Sequence, residues 1–484
     1  MPPHNLVLGH LGLAASIQKT LPTDAHGHYL AEQIRQRYPT LGPTFYLDLW
    51  PFSDPMLIVT DPDVVAQFST AEHLLPKHPG IKTFLYPITG GYDLNCLDGE
   101  TWKFWRRLFN PGFSAAHMQS LVPTIVEEVV TFRENLKSRA KEAKMFSFED
   151  HTLSLSIDVI GQPNPLISAL LHQRQWAAFG LEMGIWMLIN PMRYFHIWNN
   201  RRIMDKHIDR DLDERYNTQQ SDTKSKTIVD LALTGYRSEK SHNKAQIDTV
   251  FRKYARSQMK VFIFAGHDAV STTMCYAWLL LSRNPKAMAK LRAEHDDVLG
   301  LDKNKAASLL SENPVLLSRL TYTLAVIKET LRLFPVVSAA RGGLKGFSLT
   351  NLEGQRFPTE HCLVWAVHHG LHHNPLWWPR VDEFLPERFL REEGPWEDLC
   401  PRKHTWRPFE LGPRACIGTE LAMAELKIVL ALTVREFELE EAFDEWDRVN
   451  KPKGAKTVDG ERAYQIQLGS AHPVDGFPVR IIVR

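Results

Sequence analysis

The stretch Phe409-Glu410-Leu411-Gly412-Pro413-Arg414-Ala415-Cys416-Ile417-Gly418 decides how this chain is read. It presents one cysteine in a turn suited to hold a thiolate against iron. Gly412 and Gly418 let the backbone come close to a flat cofactor, Arg414 offers a fixed cation to an anionic group, and Phe409 can pack beside the sulfur. Past Cys416, the apolar residues Ile417, Leu421, Ala424 and Ile428 recur at helical spacing, so the cysteine falls where a helix begins. Unpaired N–H groups and the helix dipole favour a thiolate there. An inert core cysteine is the alternative, and the frame Phe-x-x-Gly-x-Arg-x-Cys-x-Gly argues against it.

This frame resembles the haem-ligand loop of the cytochrome P-450 family, in which a thiolate pushes electron density into haem iron and favours O–O cleavage. The resemblance runs from the proline-rich start at Pro2-Pro3 to His472-Pro473-Val474-Asp475-Gly476, in a style similar to fungal microsomal members of specialised metabolism. It implies a mainly α fold with a small β part, one haem-thiolate catalytic domain over residues 1–484, and haem b as cofactor. It also implies dioxygen as co-substrate, electrons from NADPH through an NADPH-cytochrome reductase, and a lipophilic small-molecule substrate. The family setting is the cytosolic face of the endoplasmic reticulum membrane, with the anchor that precedes such a proline-rich hinge missing from this chain. Two other readings stay open: a haem enzyme of the same fold that uses peroxide or rearranges its substrate without outside electrons, and a haem carrier or sensor.

Composition sets limits on the rest. The 484 residues carry a net charge of +1, which gives no electrostatic argument for a nucleic-acid partner. Five scattered cysteines (Cys96, Cys275, Cys362, Cys400 and Cys416) are unlike a secreted disulfide framework and fit a reducing compartment. No linker, repeat or low-complexity tract divides the chain. The early apolar run from Leu6 to Ile17 contains His10 and is short beside the roughly 20 apolar residues of a spanning helix.

Tyr46 to Thr60 reads as two strands joined by a tight turn. No proline occurs between Met192 and Asn284, and the apolar positions from Ile247 to Leu280 predict a very long helix ending near Asn284-Pro285. About 36 residues at 1.5 Å each would run roughly 54 Å. A second helix is predicted from Leu320 to Phe334, stopped by Pro335, and the tail from Tyr464 to Val483 returns to strand-like alternation with turns at Gly469 and Asp475-Gly476.

Several constellations carry chemistry. Glu329 and Arg332 stand at i, i+3 on one helix face, and the resemblance joins them to Arg388 of Pro386-Glu387-Arg388-Phe389 in a buried network behind the haem. Trp102 and Arg106 sit one turn apart and, with Arg414 and Arg341, match family positions that hold the haem propionates. Lys103, Arg107, Arg402, Lys403 and Arg407 are expected to form a solvated basic face, or a dock for an acidic reductase. The run His368, His369, His372 and His373 is read as surface and turn histidines in preference to zinc ligands, because no cysteine or acid stands at ligand spacing.

The long helix holds the oxygen-handling segment Phe264-Ala265-Gly266-His267-Asp268-Ala269-Val270-Ser271-Thr272-Thr273. Ala265 is a haem contact by resemblance. Gly266 costs about 1 kcal/mol relative to alanine in a helix, which suggests a space requirement such as dioxygen. The family follows its acid with a threonine that relays protons, whereas Asp268 is followed by Ala269. Asp268 is the expected catalytic acid, and Thr273, Thr272 or water the expected replacement; ordinary back-bonding to the preceding turn is the competing account of both threonines. Trp176, Phe179, Trp186, Tyr194, Phe195 and Trp198 read mostly as core packing, with a pocket roof and membrane-facing surface implied by resemblance. Phe262, Ala265, Ala269, Val270, Val336, Val337 and Ala471 are candidate pocket contacts, and their apolar character points to a hydrophobic substrate.

Overall fold

The computed structural model describes residues 1–69, 74–161, 164–177, 189–218, 227–239, 247–390 and 396–484. Its principal helices, in chain order, are α1 (His28–Arg37), α2 (Gly99–Phe109), α3 (Ala115–Glu142), α4 (Phe148–Ile160), α5 (Pro165–Ala177), α6 (Pro191–Thr218), α7 (Thr249–Arg283), α8 (Thr321–Leu333), α9 (His368–His372) and α10 (Thr419–Thr433). The strands are β1 (Thr44–Leu47), β2 (Met56–Val59), β3 (Phe146–Ser147), β4 (Ala339–Gly342), β5 (Ser348–Thr350), β6 (Arg356–Pro358), β7 (Leu363–Ala366), β8 (Phe437–Glu441), β9 (Gln465–Gln467), β10 (Ala471–Pro473) and β11 (Pro478–Val483). The fold is thus mainly α with a small β part, as the sequence predicts.

Local chemistry explains the long helix. Asp248 caps α7 by accepting the Phe251 N–H at 2.7 Å, and Asn284-Pro285 ends it. Its 35 residues span about 52 Å. Within the main core, Tyr276 stacks on Phe334 at 3.9 Å, beside the fully buried Trp278, Leu279 and Leu281. Gly266 owes its place to α4: a Cβ there would lie 2.7 Å from Ile160 Cδ1. The expected space requirement is real, but a packed methyl group fills the space toward which a Cβ would point, which corrects the dioxygen reading of this glycine.

The main sheet runs β1-β2-β7-β4, antiparallel except for the parallel β2/β7 pair. Register places Arg341 of β4 opposite Val364, and an isolated bridge brings Lys77 alongside Arg341. The C-terminal hairpin β9–β10 turns at Gly469, whose φ of +110° suits glycine. Ala471 N–H donates to Val336 O at 2.9 Å, which fixes this hairpin against the segment after α8.

The histidine run departs from expectation. His368, His369 and His372 are buried, because α9 packs on α1. His369 stacks on His28 at 4.4 Å and on His373 at 4.2 Å, while His26 lies 4.0 Å from His28, so four imidazoles form a column. Burial, reinforced by neighbouring histidines or Arg332, holds these rings neutral: His26 is lowered to about 3, His373 to about 4, and His28 and His369 well below the usual value. Unfolded histidines take up protons below about pH 6.5 while the buried column does not, so stability is intact above that pH and lost as pH falls. At pH 5, His26 and His373 would each cost about 2 kcal/mol. Urea midpoints are expected to fall steeply as pH drops from 6.5 to 5, and His373→Gln should make that fall shallower. A midpoint independent of pH over this range would contradict the neutral column.

Candidate active site

The cysteine loop is held from several directions. Cys416 N–H donates to Phe409 O at 2.8 Å, Thr419 Oγ1 donates to Cys416 O at 3.0 Å, and Gly412 takes a left-handed φ of +76° that closes the turn. Gly418 comes so near that a Cβ there would lie 3.9 Å from the sulfur. The Phe409 ring tilts against Trp406, whose Nε1–H donates to Lys328 O of α8 at 3.0 Å. Arg407 N–H donates to His372 Nε2 at 3.1 Å, and Glu410 lies 2.6 Å from Arg407 Nη2 and 2.9 Å from His368 Nε2. The α9 histidines therefore anchor the loop. Arg407 is buried within this anchorage, which corrects its assignment to the basic face; Lys103, Arg107, Arg402 and Lys403 are exposed.

Behind the loop, Glu329 accepts two parallel hydrogen bonds from Arg332, both 2.8 Å, and one from Arg388 Nε at 3.0 Å. All three side chains are fully buried. The remaining guanidinium protons go to main-chain oxygens of His372, Val381 and Glu383 for Arg332, and of Pro379 and Arg380 for Arg388.

On another side of the cysteine, cations crowd together. Arg414 stacks on Trp102 with its Cζ 4.0 Å from the ring centroid, donates to Leu97 O at 2.8 Å and pairs with Asp98. Burial, helped by repulsion from Arg341 and Arg106, lowers Arg414 to about 10 despite the attraction of Asp98. Burial, with repulsion from Arg341 and Arg414, lowers Lys77 to about 7. Arg341 is only 1% exposed, yet its Nε and Nη1 have no hydrogen-bond partner among the described residues. Arg106 of α2 donates from Nε to Asn110 Oδ1 at 2.9 Å and is electrostatically coupled to Cys416. Burial pushes the Cys416 thiol up against the pull of the Gly418 N–H, Arg106 and Thr419, so the protein alone does not favour the thiolate as its place before a helix suggested. A metal ion on the sulfur would complete that deprotonation.

These features fit a flat, metal-bearing dianion. Cys416 keeps accessible surface within protein that surrounds it closely enough to raise its thiol, Ala265 is exposed beside the buried Phe264 on α7, and orphaned guanidinium nitrogens and mutually repelling cations call for carboxylates.

Asp268 lies in a different setting from the expected acid–alcohol pair. No hydrogen bond joins it to Thr272 or Thr273 among the described residues. Thr273 Oγ1 donates to Ala269 O at 2.8 Å, Thr272 Oγ1 is buried without a partner, and Ser271 bonds Thr152 at 2.7 Å. Arg174 of α5 and His472 of β10 each lie 2.9 Å from Asp268 Oδ1, and Ser470 Oγ donates to Oδ2 at 2.5 Å. Burial would raise the Asp268 carboxyl, but His472, His267 and Arg174 hold it well below the usual range.

Among the candidate pocket residues, Ala265 and Val337 are exposed, whereas Val270, Val336 and Ala471 are buried and Phe262 packs against Phe109 and Phe113. Of the aromatic roof, Phe179 and Trp186 lie outside the described residues. Tyr194, Phe195 and Trp198 are more than half exposed, which overturns core packing for them, while Trp176 stacks on His196 at 4.3 Å. An open groove of about 630 Å³ between α5 and α6 shares no residue with the cysteine loop.

The family model described as Cytochrome P-450 matches residues 8–163 and 166–467. Cytochrome P-450 monooxygenase polC of Polytolypa hystricis is 43% identical over 99% of this chain and 89% of its own length. Cytochrome P-450 monooxygenase acrF of Aspergillus aculeatus is 33% identical over 97% of this chain and 99% of its own length. The crystal structure of the cytochrome P-450DA heme domain superposes with a TM-score of 0.73 at 20% identity, covering 100% of this chain and 97% of that one. The chain belongs to the cytochrome P-450 family: it is a monooxygenase, an enzyme of haem iron and dioxygen.

Sequence pattern gives no sign of Lys77, Asp98, Arg174, Glu149, Ser470 or His472 as members of these clusters. For Lys77, β pairing with Arg341 supplies the link, and no local motif announces it.

Removing Glu329 leaves two buried guanidinium groups without their carboxylate, which typically costs about 3–5 kcal/mol. Glu329→Ala is expected to lose haem incorporation or soluble expression altogether, as read by the haem-to-protein absorbance ratio. Normal holoenzyme with altered product selectivity would contradict the structural role.

Proposed function

We propose that this monooxygenase oxidises a lipophilic natural-product intermediate, drawing electrons from NADPH through a reductase, and works as one catalytic unit at the cytosolic face of the endoplasmic reticulum. The observation that carries the reading is the exposed Cys416 together with the crowded cations Arg106, Arg341, Arg414 and Lys77, of which Arg341 keeps two guanidinium nitrogens without a partner among the described residues. Cys416 would ligate the iron, and Arg341, Arg414, Arg106, Lys77 and Trp102 would hold the haem carboxylates. Bound there, haem supplies an iron that binds and activates dioxygen, with electron density from the sulfur. Ala265 and Val337 present apolar surface to a substrate, in keeping with a hydrophobic molecule.

Lys103, Arg107 and Lys403 are exposed cations that suit an acidic reductase face. No described helix is long and apolar enough to cross a membrane, but Leu6, Val7, Trp50, Phe52, Tyr194, Phe195 and Trp198 expose apolar surface that supports membrane association. The fungal relatives named as monooxygenases support the same reading.

Cys416→His is expected to bind haem with a histidine-like spectrum and to lose the red-shifted band of the reduced carbon monoxide complex; a retained band would sink the ligand assignment. A spectral-shift screen of terpenoid and polyketide hydrocarbons should yield ligands whose oxidation consumes NADPH only when reductase is present. Equal turnover without reductase, on peroxide or on no oxidant, would replace this reading with an electron-independent one.

A further inference from the structure

Monooxygenation has a fixed proton demand: substrate R–H, dioxygen, two electrons and two protons give R–OH and water. Those protons must enter beside an apolar site. On the α7 side, a chain of polar groups runs inward from solvent. Arg174 is 21% exposed at its side chain, against 2% for Asp268 and 0% for His472. From Asp268 the chain continues to Ser470, whose N–H and Oγ–H both donate to Oδ2 at 3.2 and 2.5 Å. It also continues to His472, whose Nε2 lies 2.9 Å from Asp268 Oδ1 and 3.4 Å from Ser470 Oγ. His472 Nδ1 faces Glu149 Oε1 at 2.5 Å. His26 and His267 are the other titratable groups acting on this pair.

Two carboxylates bracket one imidazole, so His472 is an imidazolium. Burial would lower it, but Asp268 and Glu149 outweigh burial and lift it to about 10. Arg174, Asp268, His472 and Glu149 then sum to zero charge, a balance that a buried cluster requires. The hydroxyls of α7 offer less. Thr273 is committed to Ala269 O, and Thr272 has no hydrogen-bond partner among the described residues from which a lost proton could be replaced.

We propose that Ser470 and His472, supplied by the C-terminal hairpin, form with Asp268 the proton-supply station of the oxidation, with Glu149 as a positioning residue. The Ser470 hydroxyl turns from Asp268 Oδ2 and gives its proton toward the site, its oxygen takes the Nε2 proton of His472, and the imidazole is reprotonated by way of the Asp268 carboxylate, which takes a proton from solvent water beside Arg174 while the guanidinium keeps its own protons. No proton is created or lost: each one delivered is replaced by one from water. This inference rests on the monooxygenase reading and assigns its proton source.

The test uses holoenzyme, reductase and NADPH, with the strongest spectral ligand from the terpenoid and polyketide screen as probe. Ser470→Ala is expected to lower product per NADPH at least fivefold, with hydrogen peroxide making up the difference, while the spectral Kd stays within twofold. Ser470→Thr, which keeps a hydroxyl, should restore coupling. A readout independent of turnover is nitrogen NMR of histidine-labelled resting enzyme, in which His472 should stay protonated beyond pH 8 and lose that protonation in Asp268→Asn. Parental coupling in Ser470→Ala, or a His472 titration near pH 6.5 in the parent, overturns this inference alone. A parent that makes no product with NADPH and reductase overturns the monooxygenase reading and this inference with it.

Discussion

Two guanidinium groups, Arg332 and Arg388, share one carboxylate, Glu329, in a region closed to water. One negative charge cannot satisfy two positive ones, so the balance is made up by main-chain oxygens of residues 372, 379, 380, 381 and 383. The ions thereby dictate the path of the whole segment between α9 and Pro386. Trp378, buried with its ring 5.3 Å from the Arg332 guanidinium, closes the cluster on another side. Buried ion networks are poor sources of net stability, and their best-attested use is to specify one arrangement. Here the arrangement specified is the position of α8 relative to the chain that carries the cysteine loop.

A second layer of constraint lies on top of the first. Trp406 reaches Lys328 O on α8, and Arg407 and Glu410 reach His372 and His368 on α9. The loop bearing Cys416 is thus tied to the two elements the ion network has already fixed. Across the site, the cation group draws together α2, β4, the Lys77 segment and the loop itself. The sulfur and the anion-seeking groups belong to segments far apart in sequence, and a rigid frame lets them meet one cofactor.

What the sequence made legible was whatever is local or written as a motif. The body of α7 follows from the apolar positions between Ile247 and Leu280 and its end from Asn284-Pro285, the end of α8 from Pro335, and the tail strands from alternation around Gly469. The Cys416 frame and the Glu329–Arg332–Arg388 trio are short patterns with a chemical reason for their spacing. Three matters were not legible, each for a physical cause. A polar run such as His368–His373 looks exposed until α1 is known to pack on α9. Tyr194, Phe195 and Trp198 have helical spacing, but spacing alone does not say which side of α6 faces protein. The partners of Asp268 lie 94 residues before it, at Arg174, and 202 residues after it, at Ser470, so no window along the chain contains them.

Helix α4 has a consequence that reaches across the molecule. Glu149 near its start grips His472, and Ile160 at its end fills the space left by Gly266. The two are eleven positions apart, about 16 Å and close to three full turns, so both project from one side of the same rod. The helix works as a gauge block: it sets the gap between the middle of α7 and the C-terminal hairpin. Lengthening or shortening it by a single residue would swing one contact away from the other by about 100°. The register of α4, more than the identity of its outward-facing side chains, thus fixes how the C-terminal hairpin meets the middle of α7.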